Sequence, residues 1–415
     1  MQNFSENKMI GKLLNWKLFL LCNSLVLIIK ILFSVYHHFE AEHFEDWSIA
    51  ENLTVAHIYS LDVKYGSSAY KLPVYPLFLS SYMKIFGIDQ AARFIILTQH
   101  VFYFIIPLVL IRFFENLKLK NAGFLSGYFF IFSPAYFYYS NVLEATNIFI
   151  LLFVIWMYAY SLFWIRPVSF KHILLLSVLT ALVSLTQVVA VPVMLLLLLA
   201  LGFYKKVSLK NLLAVILIAG AGYSPWVIRN YLTFDKIIMS KSPVWQNVYL
   251  GYIPDHQILY GDRFVSEKEK QAIFARISRH NEFEDEVIYE NEVKKIVTDD
   301  KMAPYKKALN NLVSLWFVPK KYFNDNGLSV LIGRKCYVIL INLLLFVSLA
   351  YFFKKDKRLF FFLCIVFAGF TMPYLIGHAA NIRFKLDFEW IQTSVIALFI
   401  STYFFKKSTL SIFKG

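Results

Sequence analysis

Four carboxylates crowd the loop that follows the first apolar stretch of the chain: Glu40, Glu42, Glu45 and Asp46. Acidic side chains beside a membrane span invite chemistry when a lipid-borne reactant arrives at the same level. One of them would act as a general base, taking a proton from an incoming nucleophile, a contribution of about 10²–10⁴ in rate. If residues 42–46 are helical, Glu42 and Asp46 share a face at i, i+4 and Glu45 points elsewhere. The plainer reading is a helix start, since Ser48-Ile-Ala-Glu51 fits a capping box. Glu144, in the turn Ser140-Asn-Val-Leu-Glu144, is a second acid at a span end, where ionisable groups are functional more often than on open surfaces. Two arginines complete the set. Arg229 closes Ser224-Pro-Trp-Val-Ile-Arg-Asn-Tyr231, and Arg383, with Lys385, stands before the last apolar stretch. A guanidinium either snorkels to the headgroups or grips a phosphate through two parallel hydrogen bonds. Carboxylates that activate an acceptor, and cations that hold an anionic leaving group, together make a group-transfer site.

The elements that must position these residues are membrane spans. Of the 415 residues 58% are hydrophobic and only 17% charged, far from the balance of a soluble domain. Apolar runs of about 20 residues recur, long enough to cross about 30 Å of hydrocarbon. Ten are read: 13–36, 91–114, 122–140, 145–165, 173–185, 188–203, 212–231, 336–353, 359–376 and 388–405. The 173–203 run is split near Gln187 and Pro192. The apolar piece Pro73–Phe86 is too short to span and reads as re-entrant or interfacial, and the first run, without a small-residue cleavage site, as a retained span. Basic clusters at Lys8/Lys12, Lys118/Lys120, Arg166/Lys171, Lys205/Lys206/Lys210, Lys354–Arg358 and Lys406/Lys407 then fall on one side. That side is cytoplasmic by the positive-inside rule, with both termini in it, and the acidic loop faces outward. The net charge of +15 has this source, and no basic stretch with interleaved aromatics points to nucleic acid. The three cysteines have no metal-ligand spacing.

The expected architecture is an all-α polytopic membrane protein of about ten transmembrane helices. Residues 1–231 form a transmembrane module with the catalytic first outer loop at 37–90. Residues 232–335 form an outer subdomain, with two or three amphipathic helices across Ser266–Asp300, and 336–415 the C-terminal spans.

In order along the chain, Glu45-Asp46-Trp-Ser-Ile-Ala-Glu-Asn-Leu53, Leu72-Pro-Val-Tyr-Pro-Leu-Phe-Leu79, Phe86-Gly87, Ser140-Asn-Val-Leu-Glu144, Pro225-Trp-Val-Ile-Arg-Asn230 and Arg383-Phe-Lys-Leu resemble the GT-C glycosyltransferase superfamily. The likeness is to bacterial relatives of the dolichyl-phosphate-mannose protein mannosyltransferases. It implies interfacial helices in the first outer loop, an inner-membrane location in a bacterium and an active site on the outer face. It also implies a polyprenyl-phosphate sugar donor, a lipid, glycan or protein acceptor, and inverting transfer of a single sugar. Asp46 is then the base, with Glu45 and Glu144 as further catalytic candidates; Arg229, Arg383 and Lys385 are given to the donor phosphate. No cofactor is demanded, although carboxylates at a phosphate site are compatible with a divalent cation. Gln187, where relatives often carry a basic residue, and Asp387-Phe-Glu389, where they usually have a proline-containing run, depart from the pattern. Two rivals differ in class. A polysaccharide polymerase or ligase would use a pyrophosphate-linked donor without needing the acidic loop. A transporter of lipid-linked sugars would place its ionisable groups at mid-membrane.

Overall fold

The computed structural model of the chain describes residues 14–205, 207–277, 281–317, 328–379, 381 and 383–405. Lys8, Lys12, Lys206, Lys406 and Lys407, used above for orientation, lie outside them. Among the described residues the chain is helices and short loops, with no strand.

Helix α1 (Trp16–Tyr36) starts where the Asn15 side chain accepts from the Leu18 amide at 3.0 Å, satisfying an otherwise orphaned donor. The following loop holds α2 (Glu45–Val55) and α3 (Val74–Phe86). Gly87, at φ +80°, then reverses the chain directly into α4 (Ile88–Asn116), a conformation that only glycine adopts without strain. Helix α2 begins at Glu45 with Phe44 as its uncharged cap. Glu42 therefore lies outside it, the Glu42–Asp46 helical pair does not form, and Ser48 sits inside the helix rather than capping it.

The stretch 122–140, read as one span, is two helices: α5 (Lys120–Ile131) and α6 (Pro134–Tyr139). Pro134 has no N–H to continue α5 and instead opens α6, a position where the missing donor does no harm. Helix α7 (Thr146–Ile165) follows. Then come the 15-residue pair α8 (Phe170–Ser184) and α9 (Val191–Lys205), parted at extended Gln187 as the split near that residue anticipated. Helix α10 (Leu209–Phe234) leads into a block of short helices: α11 (Val244–Leu250), α12 (Glu267–Ile277), α13 (Glu282–Asp299) and α14 (Ala303–Phe317). Asn281 and Glu284 start α13 with a complete capping box. The chain closes with α15 (Leu328–Lys355), α16 (Lys357–Ile376) and α17 (Arg383–Phe405).

Seven of these helices, α1, α4, α7, α10, α15, α16 and α17, are long and apolar enough to cross a membrane; α8 and α9 are shorter apolar helices. The protein is a multi-pass, all-helical membrane protein; among the described residues seven of the ten expected spans are long helices, 122–140 divides at Ser133–Pro134, and the 173–203 run forms the two shorter helices α8 and α9.

One large apolar core joins α4, α7, α9, α16 and α17, while Tyr249, Tyr252, Tyr289 and Val293 build a separate small core within the block. Lys30 of α1 turns inward. Its ammonium donates to the Tyr136 carbonyl at 2.9 Å and the Ser140 hydroxyl at 2.8 Å, pinning the end of α6. Gln99 donates to the carbonyls of Ser140 and Val142, both at 3.0 Å. Together they fix the turn that carries Glu144.

Candidate active site

Asp46 stands in the first turn of α2, only 3% exposed, with Glu45 beside it. Both carboxylates face Lys71, whose ammonium lies 3.2 Å from Glu45 and 3.5 Å from Asp46. Lys71 sits in the extended run before α3, steadied by the Tyr59 hydroxyl donating to its carbonyl at 2.9 Å. The two acids diverge in strength. Burial pushes the Asp46 carboxyl above its ordinary range, against the pull of Lys71 and Arg383. Burial is the largest single influence on Glu45 and pushes it up, but Lys71, a backbone hydrogen bond and Arg383 together outweigh it and hold that carboxyl low. Asp46 is thus the stronger base of the pair, and a split of this kind separates acid–base roles. Burial disfavours the Lys71 charge, yet Asp46, Glu45 and Glu144 together raise its pKa above the ordinary value, so it remains a cation.

Asp46 and Lys71 form one wall of a cavity of about 460 Å³. The other walls come from distant parts of the chain: Gln187 from the α8–α9 joint, Lys241 from the loop after α10, His378 from the loop before α17, and Arg383 from the first turn of α17. The Val74 amide donates to the Leu185 carbonyl at 3.4 Å, tying the first loop to the α8–α9 joint. Arg383 makes a 3.0 Å ion pair with Glu144, which also accepts from the Tyr139 hydroxyl. One turn along α17, Asp387 accepts from Tyr374 at 2.9 Å and Thr146 at 3.0 Å, with the Gln187 amide at 3.5 Å.

The cation balance on this cavity is uneven. Lys71 and Arg383 already have carboxylate partners, whereas Lys241 has no hydrogen-bond or ion-pair partner among the described residues. Burial pushes its ammonium down to about 7, and Lys71 and Arg383 add repulsion. His378 stacks on His256 with ring centroids 5.0 Å apart, and burial, with His256 and Lys241, keeps it neutral. The Nε of Arg383 and the Nδ1 of His378 are buried without a hydrogen-bond partner. Such orphaned groups are uncommon in native structures, and two of them flank one cavity here. Among the described residues no three His, Cys, Asp or Glu side chains gather as a metal cage would need.

Four residues singled out from sequence, Glu45, Asp46, Glu144 and Arg383, meet here. Two do not. The Arg229 guanidinium donates to the Ser68 carbonyl at 2.7 Å and the Tyr59 carbonyl at 3.3 Å, so it braces the backbone of the first loop rather than lining the Asp46 cavity. Lys385 points to the other side of α17, 3.3 Å from the Asn342 amide oxygen and 4.4 Å from the Trp316 ring centroid. Lys71, Lys241, His378 and Asp387 were not singled out. A lysine within the acidic loop, one of three there with Lys64 and Lys84, was the available signal for Lys71, and nothing local marked Lys241.

No protein-family model matches the chain. No curated protein matches it either. Solved structures resembling it include the archaeal oligosaccharyltransferase AglB from Archaeoglobus fulgidus, in complex with an inhibitory peptide and a dolichol-phosphate, at 14% identity and a TM-score of 0.46. That match covers 92% of this chain and 50% of the other, so the chain spans half the length of AglB. ArnT from Cupriavidus metallidurans bound to undecaprenyl phosphate matches at 11% identity and a TM-score of 0.37, over 93% of this chain and 77% of ArnT. Its apo state matches at 11% and 0.35, over 93% and 76%. At these identities and scores the likeness gives no residue a role.

Proposed function

We propose that the protein is a membrane glycosyltransferase of the GT-C kind, moving one sugar from a polyprenyl-phosphate donor to an acceptor hydroxyl on the outer side of a bacterial inner membrane. The observation that carries this reading is the placement of Asp46: a buried carboxylate of raised pKa on one wall of a cavity that also holds Arg383 and the unpartnered Lys241. A base poised nearer to working pH transfers protons more effectively than an ordinary carboxylate.

In this scheme the donor phosphate lies against Lys241 and Arg383, and Glu144 fixes the Arg383 fork. The Asp46 carboxylate takes the proton of the acceptor hydroxyl as its oxygen attacks the anomeric carbon. The bond from that carbon to phosphate oxygen breaks, polyprenyl phosphate leaves with the electron pair, and attack from the opposite face inverts the centre. Lys241 and Arg383 meet the charge that grows on the departing phosphate, the interaction most useful in the transition state. Lys71 keeps Glu45 ionised and holds both acids in place. Arg229 supports the reaction at one remove, through the backbone at Tyr59 and Ser68.

The test is mass spectrometry of outer-surface glycans and glycoproteins in cells with and without this gene. A single-sugar mass difference is expected, restored by the wild-type chain and not by Asp46→Asn; identical profiles would sink the reading.

A further inference from the structure

A second cavity, of about 620 Å³, lies behind the first, between the 60–70 segment and the start of α13. The two share walls. Ser68 and Tyr70 line the second while Lys71 and Leu72 line the first; Pro243 and Gln246 line the second while Lys241 and Asn247 line the first. The Ser242 amide donates to the Ala69 carbonyl at 3.0 Å, closing the partition. Glu282 secures it from the far side, accepting from the Ser68 hydroxyl at 2.6 Å and the Ala69 amide at 2.7 Å. One stretch of backbone therefore separates the second cavity from Asp46.

Its lining is of one chemical kind. Five rings, Tyr65, Tyr70, Phe234, Phe283 and Tyr289, are interleaved with the amides of Gln246 and Asn281. Tyr65 stays 37% exposed beside Gly66, whose φ of +81° turns the chain there. Asp62, Glu282 and Asp285 also line it, and among the described lining residues there is no lysine or arginine. Aromatic faces suit the C–H faces of sugar rings, and amides and phenols suit their hydroxyl rims. The volume lies within the roughly 300–1,000 Å³ of small-ligand sites. Only Thr233 and Phe234 of the lining come from a membrane-crossing helix, so the space belongs to the loops and not to the lipid.

We propose that this second cavity is the acceptor site, and that the acceptor is a neutral saccharide chain. This rests on the glycosyltransferase reading for its purpose, though not for its binding chemistry. The chain seats its inner sugars on Tyr65 and Tyr70, and its terminal sugar bends over the Ser68–Leu72 rim to present a hydroxyl to Asp46.

The test is direct binding to the full-length protein in lipid nanodiscs. Maltotetraose and cellotetraose serve as neutral probes, tetragalacturonate as the anionic one and tetra-alanine as the peptide. At least one neutral tetrasaccharide should bind, at least tenfold more tightly than tetragalacturonate or tetra-alanine. Tyr65→Ala and, independently, Gln246→Ala should each weaken it about tenfold, the scale of losing one well-packed contact, with undecaprenyl phosphate binding unchanged. Absence of binding by both neutral probes, stronger binding of the anion or the peptide, or insensitivity to both variants overturns the proposal. Saccharide binding that persists in a protein without transfer activity would remove the glycosyltransferase reading and leave this site standing. Transfer that depends on Asp46 but is indifferent to Tyr65 and Gln246 would do the reverse.

Discussion

Helix α17 begins with two charged faces that could hardly differ more in surroundings. Arg383 turns to the Asp46 cavity, with Asp387, four residues on, buried behind it against Tyr374 and Thr146; Lys385 and Glu389, also four apart, turn to α15. On the second face Glu389 accepts two hydrogen bonds from the Arg334 guanidinium, at 3.1 and 2.7 Å, and both residues are buried. That pair is buried between helices α15 and α17. The first face presents Arg383 to about 460 Å³ of space. Charge inside a membrane protein thus has two uses, and what separates them is whether a third party fits between the groups.

Several substitutions break or sharpen this contrast, and the base comes first. Asp46→Asn should lower transfer by about 10²–10⁴ with insertion and Tm preserved, read as release of polyprenyl phosphate by the purified protein. Near-normal turnover would move the base to Glu45 or Glu144. On the sealed face, Glu389→Ala takes from the buried Arg334 its carboxylate partner and should cost about 3–5 kcal/mol, seen as a fall in Tm. Activity per folded molecule should hold, and Glu389→Leu with Arg334→Met should recover much of the loss. Arg383→Ala on the open face should weaken donor binding about tenfold to a hundredfold, the range of a lost charge-assisted pair, with a smaller change in Tm than Glu389→Ala gives. The reverse order of stabilities would mean that the open face is the structural one.

A pH profile gives the smallest and most specific effect. Asp46 must be ionised to accept a proton, and its pKa is raised, so kcat/KM should fall as pH drops through that raised value. Lys241 must be protonated to hold phosphate, and its pKa is lowered to about 7, so kcat/KM should fall again as pH rises through about 7. Lys241→Arg keeps the charge to far higher pH and should erase the alkaline limb while leaving the acid limb in place. An unchanged alkaline limb would assign it to another group.

The sequence already carried much of this. Seven long apolar helices follow from hydropathy, and the break at Gln187 from a polar residue beside Pro192. Even the separation of Arg383 from Lys385 was legible in principle, since residues two apart on a helix point about 200° apart. What sequence spacing omits is azimuth and partner. It places Arg229 at the end of α10 but does not show that the first loop folds back over it to offer the carbonyls of Tyr59 and Ser68. Lys241 is equally silent, because it gains its meaning from Asp46 and Arg383, some 200 and 140 residues away along the chain. The same distance effect hides the approach of Gly251, where an added Cβ would stand 2.6 Å from the Gly377 carbonyl oxygen.

The inward-turned Lys30 also bears on how the protein is made. Its partners, Tyr136 and Ser140, are synthesised 106 and 110 residues later, roughly 5–20 s at about 5–20 residues per second. Through that interval α1 carries an ammonium that lipid does not welcome. Helix α1 therefore finds its permanent place late, waiting at the insertion machinery or at the lipid boundary until α6 arrives to receive it.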